Sequence, residues 1–116
     1  MFSLFACGGK AVEDQARALG SREFTAAGWA AGTQEQRGEM VASLLVKHAP
    51  SSLTAKDVIH LLGAPTSYYL YDEYPAYVVG PKSIQSEYGR GYVLAFLTDK
   101  DTGKVVKVLF IPEVRT

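Results

Sequence analysis

The sequence predicts an α+β domain: a two-helix layer packed on an antiparallel sheet of three to four strands, in the order ααβββ. Three observations predict it. Two stretches with helical spacing precede Pro65, each carrying both halves of a reciprocal N-terminal cap. After Pro65 the pattern changes to the two-residue alternation of strands. Asp99-Lys100-Asp101-Thr102-Gly103 then joins two long apolar runs as a hairpin connection ending in glycine. Helices followed by strands build separate layers, with the helices on one face of the sheet.

The first helix is predicted over Gln34–Lys47. Thr33 suits the N-cap and Gln36 the returning position three residues on. Met40, Val41, Leu44 and Leu45 form one apolar stripe, while Glu35, Arg37, Glu39 and Lys47 point outward. Pro50 closes this helix and Ser51-Ser52 bridges to the next. The second occupies the segment 53–65, L-T-A-K-D-V-I-H-L-L-G-A-P. Thr54 caps it, Asp57 reciprocates, and Leu53 staples onto Val58. Gly63 supplies a left-handed stop, and Pro65 bars continuation. About two turns cannot hold alone in water, so this helix exists by docking Val58, Ile59, Leu61 and Leu62.

Strands are predicted over residues 76–80, 92–98 and 104–111, with the aromatic stretch 67–71 also reading as extended. Residues 80–91 form a long loop. Tyr92, Leu94 and Phe96 oppose Val93, Ala95 and Leu97 across one strand. In the last strand Val106, Val108 and Phe110 oppose Val105, Leu109 and Ile111, with Lys107 the only charge. Both faces of the sheet are therefore apolar, and two helices cover one. The second face calls for the N-terminal arm, through Phe24 and Trp29, or for a second protein chain.

The chain of 116 residues is long enough for one domain burying about two-thirds of its unfolded surface. Twelve basic and twelve acidic residues cancel, which removes the electrostatic basis for nucleic-acid binding. A single cysteine excludes an intramolecular disulfide and a cysteine-based zinc site. That cysteine, Cys7, lies in L-F-A-C-G-G, with Leu4 at minus three and Ala6 at minus one. The pattern resembles a lipobox, where bacteria attach diacylglycerol to the cysteine. Six residues without lysine or arginine precede it, fewer than a signal peptide needs. Two readings follow: a lipid anchor on Cys7 preceded by the remnant of a signal peptide, or an ordinary apolar N-terminus. The first divides the chain into a remnant at 1–7, a Gly- and Ala-rich tether or arm at 8–32, and a folded domain at 33–116. The arm contains a short polar helix at Val12–Leu19, and Phe24 and Trp29, too apolar for a pure linker, predict that it folds back at least in part.

Catalytic chemistry needs a nucleophile, a base and an orienting group, and no such arrangement is spelled out. His48 follows the last turn of the first helix, where a cation complements the helix dipole. His60 points outward from the second. Asp72-Glu73 before Pro75 is turn chemistry. Asp99, Asp101 and Gly103 depart from the calcium-loop spacing, and Gly89-Arg90-Gly91 lacks the context of a phosphate loop. The expectation is a non-enzyme with no cofactor and no metal.

The motif L-T-x-x-D-V-x-x-L-L-G-x-P, tyrosine-rich strands and a final hairpin resemble the SmpA/OmlA (BamE-like) family of small bacterial lipoproteins. Arg37 and Met40 in R-x-x-M, and Tyr77, Gly80 and Pro81 in Y-x-x-G-P, are similar to a wider set of small bacterial proteins. The likeness covers residues 37–111. It implies two helices on an antiparallel sheet, the BLIP-like fold of β-lactamase-inhibitor repeats. It also implies a periplasm-facing lipoprotein of the cell envelope that scaffolds a complex.

All seven tyrosines fall between Tyr68 and Tyr92. Tyrosine suits a half-buried pleated surface, and it also suits interfaces, giving large area with a polar tip. Tyr69, Tyr71, Tyr77, Tyr88, Arg90, Tyr92 and Trp29 are the candidate contacts for a protein partner, whether an envelope complex, a target enzyme or a second copy. Alternative functions are a soluble, cytoplasmic inhibitor or immunity-type binder using the same surface, or a small-ligand sensor with a tyrosine-lined pocket.

Overall fold

The computed structural model describes residues 11–116; Cys7 and the proposed signal remnant lie outside the described residues. Four α-helices come first: α1 (Val12–Leu19), α2 (Ala26–Ala31), α3 (Gln34–Lys47) and α4 (Ala55–Leu62), with a 3₁₀ turn at Pro50–Ser52 before α4. Strands β1 (Ala76–Val79), β4 (Tyr92–Thr98) and β5 (Val105–Ile111) form an antiparallel sheet in the order β1-β4-β5. Between β1 and β4, β2 (Gln85–Ser86) and β3 (Gly89–Arg90) pair as a small hairpin inside what reads in the sequence as one long loop. The α+β class and the helix-then-sheet order are as the sequence predicts.

Both expected caps are made. The Gln36 N–H donates to Thr33 Oγ1 and the Thr33 N–H to Gln36 Oε1, at 3.1 and 2.9 Å. In α4 the Asp57 N–H donates to Thr54 Oγ1 and the Thr54 N–H to Asp57 Oδ2, at 3.2 and 2.9 Å. Gly63 ends α4 at φ +82°, where a side chain would be strained. Val58 and Leu62 are buried and Leu61 is packed against the core, but Ile59 is largely exposed. An expected burial of Ile59 fails because α4 is short and touches the core along one narrow line.

Cross-strand register defines the two faces of the sheet. Tyr77, Leu94 and Phe110 stand side by side on one face, with Val79, Tyr92, Phe96 and Val108 around them. This is the core face, packed under Met40, Val41, Leu44 and Leu45 of α3 and Val58 and Leu62 of α4. Between Leu97 and Thr98 the β4–β5 register shifts, so Thr98 pairs with Val105 while Leu97 pairs with Lys107. The extra residue reverses the alternation at the start of β5. Val105 therefore turns into the core and Val106 out to solvent, the reverse of the order expected for an unbroken strand.

Residues 11–32 fold back onto the domain, as the apolar Phe24 and Trp29 lead one to expect. Ala16, Phe24 and Trp29 are buried in the main core, on the same face as the helices. The core therefore extends across residue 32. This placement overturns the expectation that Phe24 and Trp29 cover the opposite face. Edge-to-face rings run from Phe24 to Trp29 to Tyr77 to Phe96, with centroids 6.0 to 6.3 Å apart. The outward residues of α3 hold the arm down. Arg22 pairs with Glu39 at 2.8 Å, and Lys47 Nζ donates to both Glu23 Oε2 and the Phe24 carbonyl at 2.8 Å. Arg37 lies over the Trp29 ring and donates to the Trp29 carbonyl at 2.8 Å. At the far end, Gln15 Oε1 accepts the Val114 N–H, tying α1 to the C-terminal segment.

Candidate interaction surface

The seven tyrosines divide into three groups. Tyr77 and Tyr92 are core residues, the first wholly enclosed and the second packed edge-on against Phe110. Trp29 is likewise fully enclosed. These three offer no surface to a partner, which corrects their candidacy. Tyr77 and Tyr92 face inward because β1 and β4 place Tyr77, Val79, Tyr92, Leu94 and Phe96 on the core face, and Trp29 of α2 packs edge-on against Tyr77 there.

The remaining tyrosines sit on two loops. Thr66 and Ser67 seal the outer edge of β1: both N–H groups donate to the Ala76 carbonyl, and Thr66 Oγ1 accepts the Val78 N–H. The chain then reverses. The Tyr71 N–H donates to the Tyr69 carbonyl at 2.7 Å, closing a three-residue γ-turn around Leu70, which holds φ +60°. Positive φ on a bulky residue is strained. A second turn follows, with the Tyr74 N–H donating to the Tyr71 carbonyl across Asp72-Glu73. The stretch 67–71 is thus a pair of bends and not a strand. As a result Tyr68, Leu70 and Tyr71 stand out at 59, 64 and 58 % exposure.

The second loop is built on glycines and on Gln34. Gly80 at φ +83° donates its N–H to the Gln34 carbonyl, and Gln34 Nε2 donates to the carbonyls of Gly80 and Arg90 at 3.0 Å. Gly91, at φ +115°, leaves no room for a side chain, since a Cβ would fall 2.3 Å from Gln34 Nε2. These bonds fix the base of the β2–β3 hairpin and present Glu87 and Tyr88 at its tip. Tyr88 then meets Tyr68 at 5.2 Å and Tyr69 at 5.9 Å, joining the two loops. Partial burial, then the Glu87 carboxylate and the two neighbouring phenols, push the Tyr88 hydroxyl above its ordinary value.

Tyr69 and Tyr88 also answer what covers the second face of the sheet. Ala76, Val93 and Ala95 are buried there, with Tyr69, Tyr88, Leu97 and Ile111 packed against them. Ala76 pairs with Ala95 across the strands, and these short side chains leave a shallow seat that two tyrosines fill. Of the expected contacts, Tyr71 and Arg90 are exposed and Tyr69 and Tyr88 half-buried. Arg90 lies at the base of the hairpin, away from its tip. Tyr68 and Leu70 join the surface without having been singled out, because nothing about a leucine signals a positive φ.

No catalytic grouping appears among these residues. His48 caps α3 and sets its ring edge-on to Phe24 at 5.8 Å, while His60 is exposed. Asp99 accepts the Thr102 and Asp101 N–H groups, and these bonds hold its carboxyl below the ordinary range. Among the described residues no cluster of three His, Cys, Asp or Glu is placed to hold a metal. No helix there is long and apolar enough to cross a membrane. No family model, curated protein or solved structure matches the chain.

Proposed function

We propose that this chain is a non-enzymatic protein-interaction module of the bacterial cell envelope, held at a membrane by a lipid on Cys7, that helps scaffold a complex. One observation carries the docking part. Tyr68, Leu70 and Tyr71 are held out of the domain by a strained turn when their hydrophobicity favours burial. Exposed aromatic anchors on a fixed backbone are what interface hot spots are made of, and strain maintained by surrounding structure points to use. The anchoring part is supported by L-F-A-C-G-G around Cys7 and by the likeness to SmpA/OmlA lipoproteins.

Two measurements test it. Cells fed an alkyne fatty acid should label the wild-type chain and leave Cys7→Ser unlabelled; equal labelling, or none, removes the anchor. A benzophenone amino acid placed at position 68, 70 or 71 should give a discrete crosslinked product in the native host. The same group at Lys100, in the turn between β4 and β5, should not. A soluble inhibitor-type role would instead yield the crosslink from an unlabelled chain.

A further inference from the structure

We infer that the surface formed by residues 68–74 and 87–88 receives an arginine- or lysine-bearing segment of a partner protein. This rests on the docking role proposed above and names the chemistry of the partner. Asp72 and Glu73 lie in the turn that follows Tyr71, and Glu87 precedes Tyr88 at the hairpin tip. All three are exposed, and none forms an ion pair among the described residues. On the helical side of the molecule three acids are paired. Asp14, Glu23 and Glu39 are each matched to Arg17, Lys47 and Arg22. Three exposed acids without an ion pair among the described residues thus lie where the aromatic rings protrude.

Those rings add to the same sign of field. A tyrosine face is electron-rich and attracts cations, and the attraction grows once water is displaced. Tyr68 and Tyr88 meet at 74° and Tyr71 and Tyr74 at 83°, so neighbouring rings present both edges and faces. A planar guanidinium stacks on such a face and forks a nearby carboxylate at the same time. Glu87 is close enough to Tyr88 to contribute to raising its hydroxyl, which places charge beside ring. An anionic headgroup surface or a nucleic acid meets three repelling carboxylates here. A second copy docking by two-fold symmetry would set the same acids against themselves.

The test uses the full chain with benzophenone at position 71, crosslinked in extracts of the native host, and sequences the attached peptide by mass spectrometry. The expected product is one partner peptide with arginine or lysine near the point of attachment. Its yield should fall about tenfold in Asp72→Lys/Glu73→Lys/Glu87→Lys, equal to roughly 1.4 kcal/mol. It should fall to a smaller extent in the isosteric Asp72→Asn/Glu73→Gln/Glu87→Gln, which keeps shape and removes charge. Raising salt from about 0.05 to 0.5 M should also weaken it, because exposed charges are then screened within a few ångströms. An unchanged thermal midpoint in the isosteric variant confirms folding. A peptide without basic residues, a product of twice the chain mass, an attached phospholipid, or a yield indifferent to charge overturns the inference. If a neutral or acidic protein is attached, the docking role itself stands. If positions 68, 70, 71 and 88 all fail to crosslink, both fall.

Discussion

The Tyr77 hydroxyl donates to the Gly63 carbonyl at 2.8 Å, so a residue of β1 holds the residue that ends α4. The ring is fully enclosed, wedged edge-on between Trp29 and Phe96. One side chain therefore joins the N-terminal arm, the sheet and the short helix. Four expectations follow from this arrangement and from the two loops beyond it.

Burial raises the Tyr77 hydroxyl from 10.0 to about 12, opposed in part by the Arg37 charge. A raised value means the folded state keeps the proton longer than the unfolded chain. The resulting stability is fully present below pH 10 and is lost as pH rises toward 12. Urea midpoints measured from pH 8 to 12 should show this fall in the wild type. Tyr77→Phe should flatten that part of the curve. At pH 7 the same variant should cost only about 0.5–1.5 kcal/mol, since Gly63 is exposed and water can replace the lost donor.

Trp29 tests where the domain begins. A tether could lose its tryptophan at little cost, whereas a core residue could not. Trp29→Ala should remove about 3–5 kcal/mol of stability, a large part of the roughly 5–15 kcal/mol of an ordinary domain. Trp29→Phe should cost markedly less, because the indole N–H is buried with no hydrogen-bond partner among the described residues and its loss offsets some of the lost packing. Equal, small losses in both would restore the boundary at residue 32.

How much of this was legible in the sequence depended on whether the signal was local. The helices α3 and α4 were readable because Thr33 with Gln36 and Thr54 with Asp57 write their starts within four residues. The strand β4 was readable from alternation alone. Which face of that strand is the core was not, since both are apolar. Side-chain size was the available signal: Leu94, Phe96 and Phe110 fill the core face, while Ala76 and Ala95 lie on the other. Residue type points to Trp29 and Tyr77 as partner contacts, yet their burial depends on contacts 48 positions apart. The bends at 67–71 defeat a reading from β-propensity because Tyr69-Leu70-Tyr71 contains neither glycine nor asparagine, whereas the turn at Asp72-Glu73 is legible.

Gly38 lies in the middle of α3, where alanine ordinarily stabilises a helix by about 1 kcal/mol. Here a Cβ would stand 2.8 Å from the Gly80 nitrogen and 2.9 Å from its Cα. That backbone cannot swing aside, being bonded to the Gln34 carbonyl and to Gln34 Nε2. Gly38→Ala should therefore reverse the usual sign and destabilise by about 1–3 kcal/mol, as overpacking does. Chemical denaturation reads this directly, and a stabilised variant would show that α3 and the second loop do not touch.

Leu70 separates strain from packing. Its side chain is mostly in water, so truncation removes little burial, whereas its φ of +60° costs any residue with a Cβ about 1–2 kcal/mol. Leu70→Ala keeps that cost and Leu70→Gly relieves it, with part of the gain returned as extra unfolded-chain entropy. The glycine variant should be the more stable of the two by up to about 1 kcal/mol, the opposite of their order in a helix. Both should lose crosslinking from position 71 because an anchor is gone, and the glycine variant should lose more, its turn being free to relax before docking. If alanine proves the more stable, the turn is not held at positive φ. The exposure of Tyr68 and Tyr71 would then need another cause.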